Sequence, residues 1–386
     1  MLDVKKYKLK TLSPVHIGNG NVYNSLEFVV FGKKVYFVSE EKIAEQLPAE
    51  VIDDFTSGII AGNYNSLFEF LWKKNLCKED ILTKISTYVV SSDSVIENVR
   101  EIREFVKEQK NYPYIPGSSI KGMFRTSFLY NCLKRRKDYL KEYVQRKFDD
   151  FWRDRNKDKR WFKRRFGKSF ANSLETDLLK RFQITPYSNR YDPHTDIFRC
   201  FKVSDSTLLH VNDLRISEIK LFSAGRGEKH WSIFAETLKT DTSTDFTISI
   251  DQYLFEKFKN KGKGRFPNDV IAKFENFLNN PLEFLRAFSS DLLEIEGEFC
   301  RKNNLPEPSF TSSNGAIGRL GFGSGLLGVT VDMLLEKGQV KKIRDTFGKP
   351  KDYDALIPKS RRLEKTDKIL LGWLEISPLN QGGLDE

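Results

Sequence analysis

Cysteine is scarce in this chain of 386 residues: Cys77, Cys132, Cys200 and Cys300 lie far apart, in no metal-ligand spacing and no disulfide framework. Such usage fits a reducing compartment, so a cytoplasmic protein is expected. No run of about 18 apolar residues occurs, and the N-terminus, Met1 to Lys6, carries no apolar signal region. No membrane partner is expected. Histidine is scarce too, at His16, His194, His210 and His230. The acid pairs Asp53-Asp54, Asp149-Asp150 and Asp205 with Asp213 do not resemble a two-metal site. No metal, cofactor or internal repeat is therefore expected.

Aromatic residues and positive charge are plentiful. The apolar fraction is 39%, and 31 Phe lift the aromatic fraction to 13%, which marks a folded chain with a substantial core. The net charge of +11 points to a polyanionic partner. Between Lys134 and Lys168 stand 16 Lys or Arg against 6 Asp or Glu, nearly the whole surplus. Tyr139, Tyr143, Phe148, Phe151, Trp152, Trp161, Phe162 and Phe166 are interleaved with them. The charges suit phosphates, with Lys134, Arg135, Arg136, Arg160, Arg164 and Arg165 as a basic track. The aromatics read more simply as the buried stripe of a helix.

The stretch around which the chain is organised is Tyr114-Ile-Pro-Gly-Ser-Ser-Ile-Lys-Gly-Met-Phe-Arg125. Pro116 biases Ile115 to extended backbone, Gly117 permits a tight turn, and Ser118 or Ser119 suits a helix N-cap. From Ile120 the apolar residues recur at helical spacing, with Lys121 and Arg125 one turn apart on the other face. Unpaired N–H groups and the positive end of the helix dipole, with these cations, make an anion site suited to a phosphodiester. The alternative is an ordinary strand-to-helix turn.

Elsewhere, strands are expected at Val4 to Leu12, in a hairpin around Gly32, at Phe198 to Ser204, in a pair across Gly225 to Gly227, at Phe246 to Ile250 and at Ile369 to Ile376. Gly18 to Gly20 is expected to turn the chain. Helices are expected at Glu40 to Leu47, Ser66 to Lys74, Ser118 to about Arg155 with a break or two, Asp269 to Leu278, Leu282 to Lys302 and from Val331. Val99 to Val106 fits helix or strand by periodicity. Lys257 to Phe266 reads as a basic loop, and Asp205 as a turn or cap residue. Gly315, Gly318, Gly321, Gly323, Gly325 and Gly328 fall within fourteen residues around Arg319. Such density brings backbone N–H groups close to a ligand, a phosphate being one. The alternative is a turn packed tightly on the sheet. It is neither a Walker loop nor a good dinucleotide fingerprint.

Ile115 to Arg125 resembles the signature of the RAMP proteins of CRISPR effector complexes. Leu12-Ser-Pro-Val-His-Ile-Gly-Asn-Gly20 resembles their N-terminal segment, and Gly318-Arg-Leu-Gly-Phe-Gly-Ser-Gly-Leu-Leu-Gly328 their glycine-rich loop. The order, separations and length look most like the family of fifth subunits of type III-A (Csm) complexes. The resemblance implies an α+β fold with a ferredoxin-like, RRM-like βαββαβ core and large helical insertions. Residues 1–386 would form one elaborated domain, with a basic, mainly helical insertion over 134–195 and the glycine-rich loop over 315–328. It favours a strand leading to Pro113. It implies a structural RNA-binding subunit rather than an enzyme, which holds the guide RNA near its 3′ end, caps the backbone filament and supports guide 3′-end maturation. The implied partners are guide RNA and a neighbouring RAMP backbone subunit, with target RNA and trimming nucleases as further ones. His16, Gly18, Gly117, Ser118, Ser119, Lys121, Gly122, Arg125, Arg319, Gly321, Gly323 and Gly325 would contact RNA. The alternative is a metal-independent endoribonuclease for precursor CRISPR RNA with His16 as base.

Overall fold

The computed structural model describes residues 2–96, 99–153, 173–182, 184, 193–261, 266–347 and 358–379. Its strands are β1 (Leu2–Thr11), β2 (Gly18–Asn24), β3 (Phe28–Phe31), β4 (Lys34–Val38), β5 (Ser86–Ser92), β6 (Glu101–Phe105), β7 (Phe201–Val203), β8 (Leu214–Ser223), β9 (Gly227–Leu238), β10 (Ser243–Asp251), β11 (Ala316–Arg319), β12 (Ser360–Glu364) and β13 (Trp373–Pro378). Its helices are α1 (Glu40–Gln46), α2 (Ala49–Ile60), α3 (Leu67–Lys73), α4 (Glu79–Ile85), α5 (Gly117–Lys134), α6 (Lys137–Arg153), α7 (173–179), α8 (Gln252–Lys259), α9 (Pro267–Asn279), α10 (Pro281–Lys302), α11 (Gly325–Val329) and α12 (Lys337–Phe347).

Alternation in β1 sets the first layer. Tyr7, Leu9 and Thr11 are buried while Lys6 and Lys8 face solvent. β1 lies inside a five-stranded sheet of order β11-β13-β1-β10-β7, antiparallel throughout. The chain runs β1, α5, β7, β10, α10, β13, so four strands stand fourth-first-third-second with a helix in each crossover. That is the strand order of a βαββαβ unit. β11 extends its edge. The α+β class expected from the sequence holds.

The second sheet is mixed, of order β2-β6-β9-β8-β5-β4-β3, with β12 added on β8. One large core joins residues of both sheets and of the helices. Its centre is phenylalanine: Phe124 and Phe128 of α5 meet Phe198, Phe201, Phe274, Phe277 and Phe284 at ring separations of 5.3 to 6.3 Å. Edge-to-face contacts of this kind add to area burial. A smaller core seats α1, α3 and α4 on β3 and β4 through Tyr36, Ile43, Phe70, Leu71 and Leu82.

Some expectations give way. Gly18 to Gly20 is not a turn but the start of β2, which pairs with β6. The helix from Ser118 does carry an expected break, since α5 ends at Lys134 with Arg135 as its C-cap and α6 begins at Lys137. α8 occupies the start of the supposed loop at Lys257, and Phe198 lies in a 3-10 turn before β7. The helix after the glycines begins at Lys337 rather than Val331. α2, α4 and β5 carry no clear signal in the sequence. Val99 to Val106 contains β6, a strand.

Candidate nucleic-acid interface

α5 starts one residue early, and neither serine caps it. Pro116 is the N-cap, and its imino ring cannot accept the orphan N–H groups. The cap comes from across the sheet, where Asp205 Oδ1 accepts from the Gly117 N–H at 2.7 Å. Asp205 is thus the cap residue its sequence context suggests, and its carboxylate occupies the anion position at the dipole. Gly117 is buried, and a Cβ there would lie 2.5 Å from the carbonyl oxygens of Val203 and Ser204. It serves close packing on β7 rather than a phosphate.

Arg125 is committed as well. Nη2 pairs with Glu175 at 2.9 Å, Nη1 with Asp196 at 2.8 Å, and the guanidinium lies over Phe198. Lys121 differs. It is half-buried, burial lowers its pKa against the pull of Asp196, and no carboxylate among the described residues pairs with it. Next to it Gly122 is exposed, with nothing within 4 Å of a Cβ. A helix-interior glycine costs about 1 kcal/mol against alanine, and no protein contact here requires one. Ser118 is exposed one turn earlier. Ser118, Lys121 and Gly122 therefore form an open face with one uncommitted cation.

The glycine-rich loop mainly serves packing. A Cβ at Gly318 would lie 2.4 Å from Met123 Sδ, at Gly323 2.3 Å from Leu371 Cβ, and at Gly321 2.1 Å from the His16 carbonyl oxygen. Gly321 also has φ +77°, and Gly325 has φ +65° over open space. These contacts bring all three sequence islands together: Met123 against Gly318, and His16 against Gly321. Arg319 is a correction. Its side chain is 1% exposed, with Nη1 3.0 Å from Glu296 and Nε donating to the Leu371 carbonyl at 3.1 Å. Arg361 Nε holds the other Glu296 oxygen at 2.5 Å. Arg319 therefore belongs to a buried ion-pair triad and is closed to a phosphate.

His16 is also internal. Its Nδ1 lies 2.7 Å from the Glu236 carbonyl oxygen, and the ring packs edge-on to Phe105 and Phe322. Burial pushes its pKa down to about 4, and the charges of Arg103 and Lys107 add to this. It is neutral at pH 7 and a weak base, poorly placed to take a 2′-hydroxyl proton. Beside it the Glu236 carboxylate accepts from the Phe105 N–H at 2.8 Å, from Tyr88 Oη at 2.9 Å and from Lys107 Nζ at 2.5 Å. Burial raises the Glu236 pKa, and Lys107 pulls it back. Gly18, in β2, is exposed, and its place for a Cβ is 2.9 Å from His16 Nε2.

Of the basic track, Lys134 pairs with Asp291 at 2.5 Å, and Arg136 pairs with Asp269 and stacks on Phe266. Arg135 is exposed with no ion pair among the described residues. Arg160, Arg164 and Arg165 lie outside the described residues. Tyr139, Tyr143 and Phe148 are buried, as a helical stripe requires. No group of His, Cys, Asp and Glu among the described residues has a metal-binding arrangement, and no described helix is long and apolar enough to cross a membrane. The sequence reading missed Arg103 and Arg362, whose guanidiniums lie 4.6 and 3.9 Å from the centre of the Phe322 ring. The one available signal was Phe322, an aromatic amid the glycines.

Comparison with known proteins accords with this architecture. The family model of the RAMP superfamily matches residues 8–326. The CRISPR system Cms protein Csm5 of Methanocaldococcus jannaschii is 26% identical over 373 residues, covering 88% of this chain and 77% of that protein. The protein of the same name from Streptococcus thermophilus is 33% identical over 139 residues, 32% of this chain and 38% of that protein. A chain in a cryo-EM structure of a Csm-crRNA-target RNA ternary complex of a type III-A CRISPR-Cas system shares the fold, with TM-score 0.72, 23% identity, and 97% of this chain and 100% of that chain covered. The crystal structure of T. onnurineus Csm5 shares it with TM-score 0.65 and 22% identity over 95% of this chain and 99% of that one. With a family model that spans most of its length and the expected islands meeting in space, this chain belongs to the RAMP superfamily.

Proposed function

We propose that this protein is an RNA-binding structural subunit of a type III-A CRISPR complex, cytoplasmic and without catalysis of its own. It holds the guide RNA near its 3′ end, caps the filament of backbone RAMP subunits and supports guide 3′-end maturation by positioning trimming nucleases. Target RNA passes along the same assembly. The observation that carries the reading is the open α5 face. Lys121 is a cation with no carboxylate partner among the described residues, beside a helical glycine that no contact among them requires. A phosphodiester backbone explains both, since it needs positive charge and close approach. Ser118, Lys121, Gly122 and the surface at Gly18, Gly321 and Gly325 are the proposed contacts. Ser119 and Arg135 are secondary ones, whereas Gly323 is buried against Leu371 and is left out. The likeness to Csm5 proteins and to a chain of a Csm-crRNA-target RNA complex supports the choice of partners.

The test is a gel shift and cleavage assay with single-stranded guide-like RNA in EDTA, run on wild type and His16→Ala. Salt-sensitive binding without cleavage supports the structural subunit, and reconstitution with a neighbouring backbone subunit follows. Cleavage that the His16 change abolishes would overturn the reading in favour of a processing ribonuclease.

A further inference from the structure

Phe322 carries two arginines on one ring. The Arg103 Cζ, from β6, lies 4.6 Å from the ring centre, and the Arg362 Cζ, from β12, lies 3.9 Å from it. Arg362 Nη1 also donates to the Phe322 carbonyl at 3.0 Å. The ring itself is fixed from behind. The Phe322 N–H donates to the His16 carbonyl at 2.8 Å, and the ring stands at 89° to the imidazole. Only a glycine at 321, with φ +77° and no room for a Cβ, brings the chain into that position.

The charges around this ring are unbalanced. Neither Arg103 nor Arg362 is ion-paired to a carboxylate among the described residues. Other cations nearby are engaged: Lys107 with Glu236, and Arg319 and Arg361 with Glu296. A cation–π contact repays one arginine modestly, but a second on the same ring brings a like charge with it. Arg362 is partly buried while Arg103 is exposed, so the pair opens on one side to solvent. β2 passes alongside, with Val22 opposite Arg103 and Gly18 to Val22 exposed.

We propose that Arg103 and Arg362, held on the ring of Phe322, form a phosphate clamp for single-stranded RNA. The guanidinium fork matches phosphate oxygens, and the ring keeps both forks oriented before the ligand arrives. The clamp reads no sequence, because phosphate contacts carry none. It rests on the RNA-binding reading above and adds to it a site that none of the three sequence islands contains, apart from its aromatic platform.

The experiment is fluorescence anisotropy with a labelled single-stranded oligoribonucleotide and the full chain, at several salt concentrations. Wild type is compared with R103A, R362A and the double variant, each first checked by circular dichroism. Each lost phosphate contact flattens the plot of log affinity against log salt by about 0.7. The double variant is expected to lose about 1.4 of the slope and bind about tenfold more weakly near 0.15 M salt. Independently of any variant, the RNA is expected to protect Arg103 and Arg362 of the wild type from phenylglyoxal, read by mass spectrometry. If wild type binds RNA and the folded double variant matches it in affinity and slope, or if RNA leaves both arginines fully reactive, the clamp is refuted and the general reading stands. If wild type binds no RNA at low salt, the general reading falls and the clamp with it.

Discussion

Glu296 offers the sharpest test of the division between structural and RNA-facing arginines. Its carboxylate bridges Arg319 at 3.0 Å and Arg361 at 2.5 Å, and all three residues are at most 6% exposed. Arg319 lies over Trp373 and Arg361 over Phe299. Glu296→Ala leaves two buried guanidiniums facing each other with no counter-charge. Removal of one partner from a buried pair costs about 3–5 kcal/mol. Here one carboxylate serves two cations, so the upper part of that range is expected. Against a total of roughly 5–15 kcal/mol, this is a large share of the stability. Urea unfolding followed by circular dichroism measures it. Apolar replacement of all three, Glu296→Met with Arg319→Met and Arg361→Leu, is expected to recover most of the loss, because no charge is then left to desolvate. The folded triple variant should keep the RNA affinity and salt slope of wild type. A loss below about 1 kcal/mol on Glu296→Ala would refute the account of the triad. Weaker RNA binding by the folded triple variant would return Arg319 to the interface.

Gly122→Ala is expected to raise stability by up to about 1 kcal/mol, because the Cβ meets nothing and the helix gains propensity. Its RNA affinity should fall, and unchanged binding would place the RNA elsewhere. Gly321→Ala is expected to destabilise by about 1–3 kcal/mol, from positive φ and the clash with His16, as a lower urea midpoint shows. His16 predicts an acid-sensitive fold. The unfolded chain takes up its proton as pH falls below about 6.5, whereas the fold resists protonation down to about 4. The contribution of His16 to stability therefore drops by about 3 kcal/mol between those values and changes no further below them. Urea midpoints for His16→Gln should fall less across that interval than for wild type.

Much of the fold is legible in local pattern. Alternation marks β1 and β10, Gly32 marks the β3–β4 hairpin with φ +61°, and proline at the first turn marks α9 and α10. The failures have physical causes. Gly18 to Gly20 carries turn residues, yet pairing with β6 overrides their preference. Ser118 and Ser119 look like caps, but a cap can arrive from any part of the fold, and Asp205 lies 88 residues from Gly117. Arg319 looks like a ligand residue because of its glycines. Its partner, Glu296, stands on α10, and sequence has no means of bringing the two together.

The sequence by itself determined the class of fold, the basic character and the three islands that mark the family, because these are properties of residue type, periodicity and short motifs. Only the tertiary structure decided which cations remain available. Lys121, Arg103 and Arg362 have no carboxylate partner among the described residues, while Arg125, Lys107 and Arg319 are neutralised by groups distant in the chain. The reason is that charge neutralisation acts over a few ångströms in space, and which residues come that close is set by how the two sheets and α5 pack together.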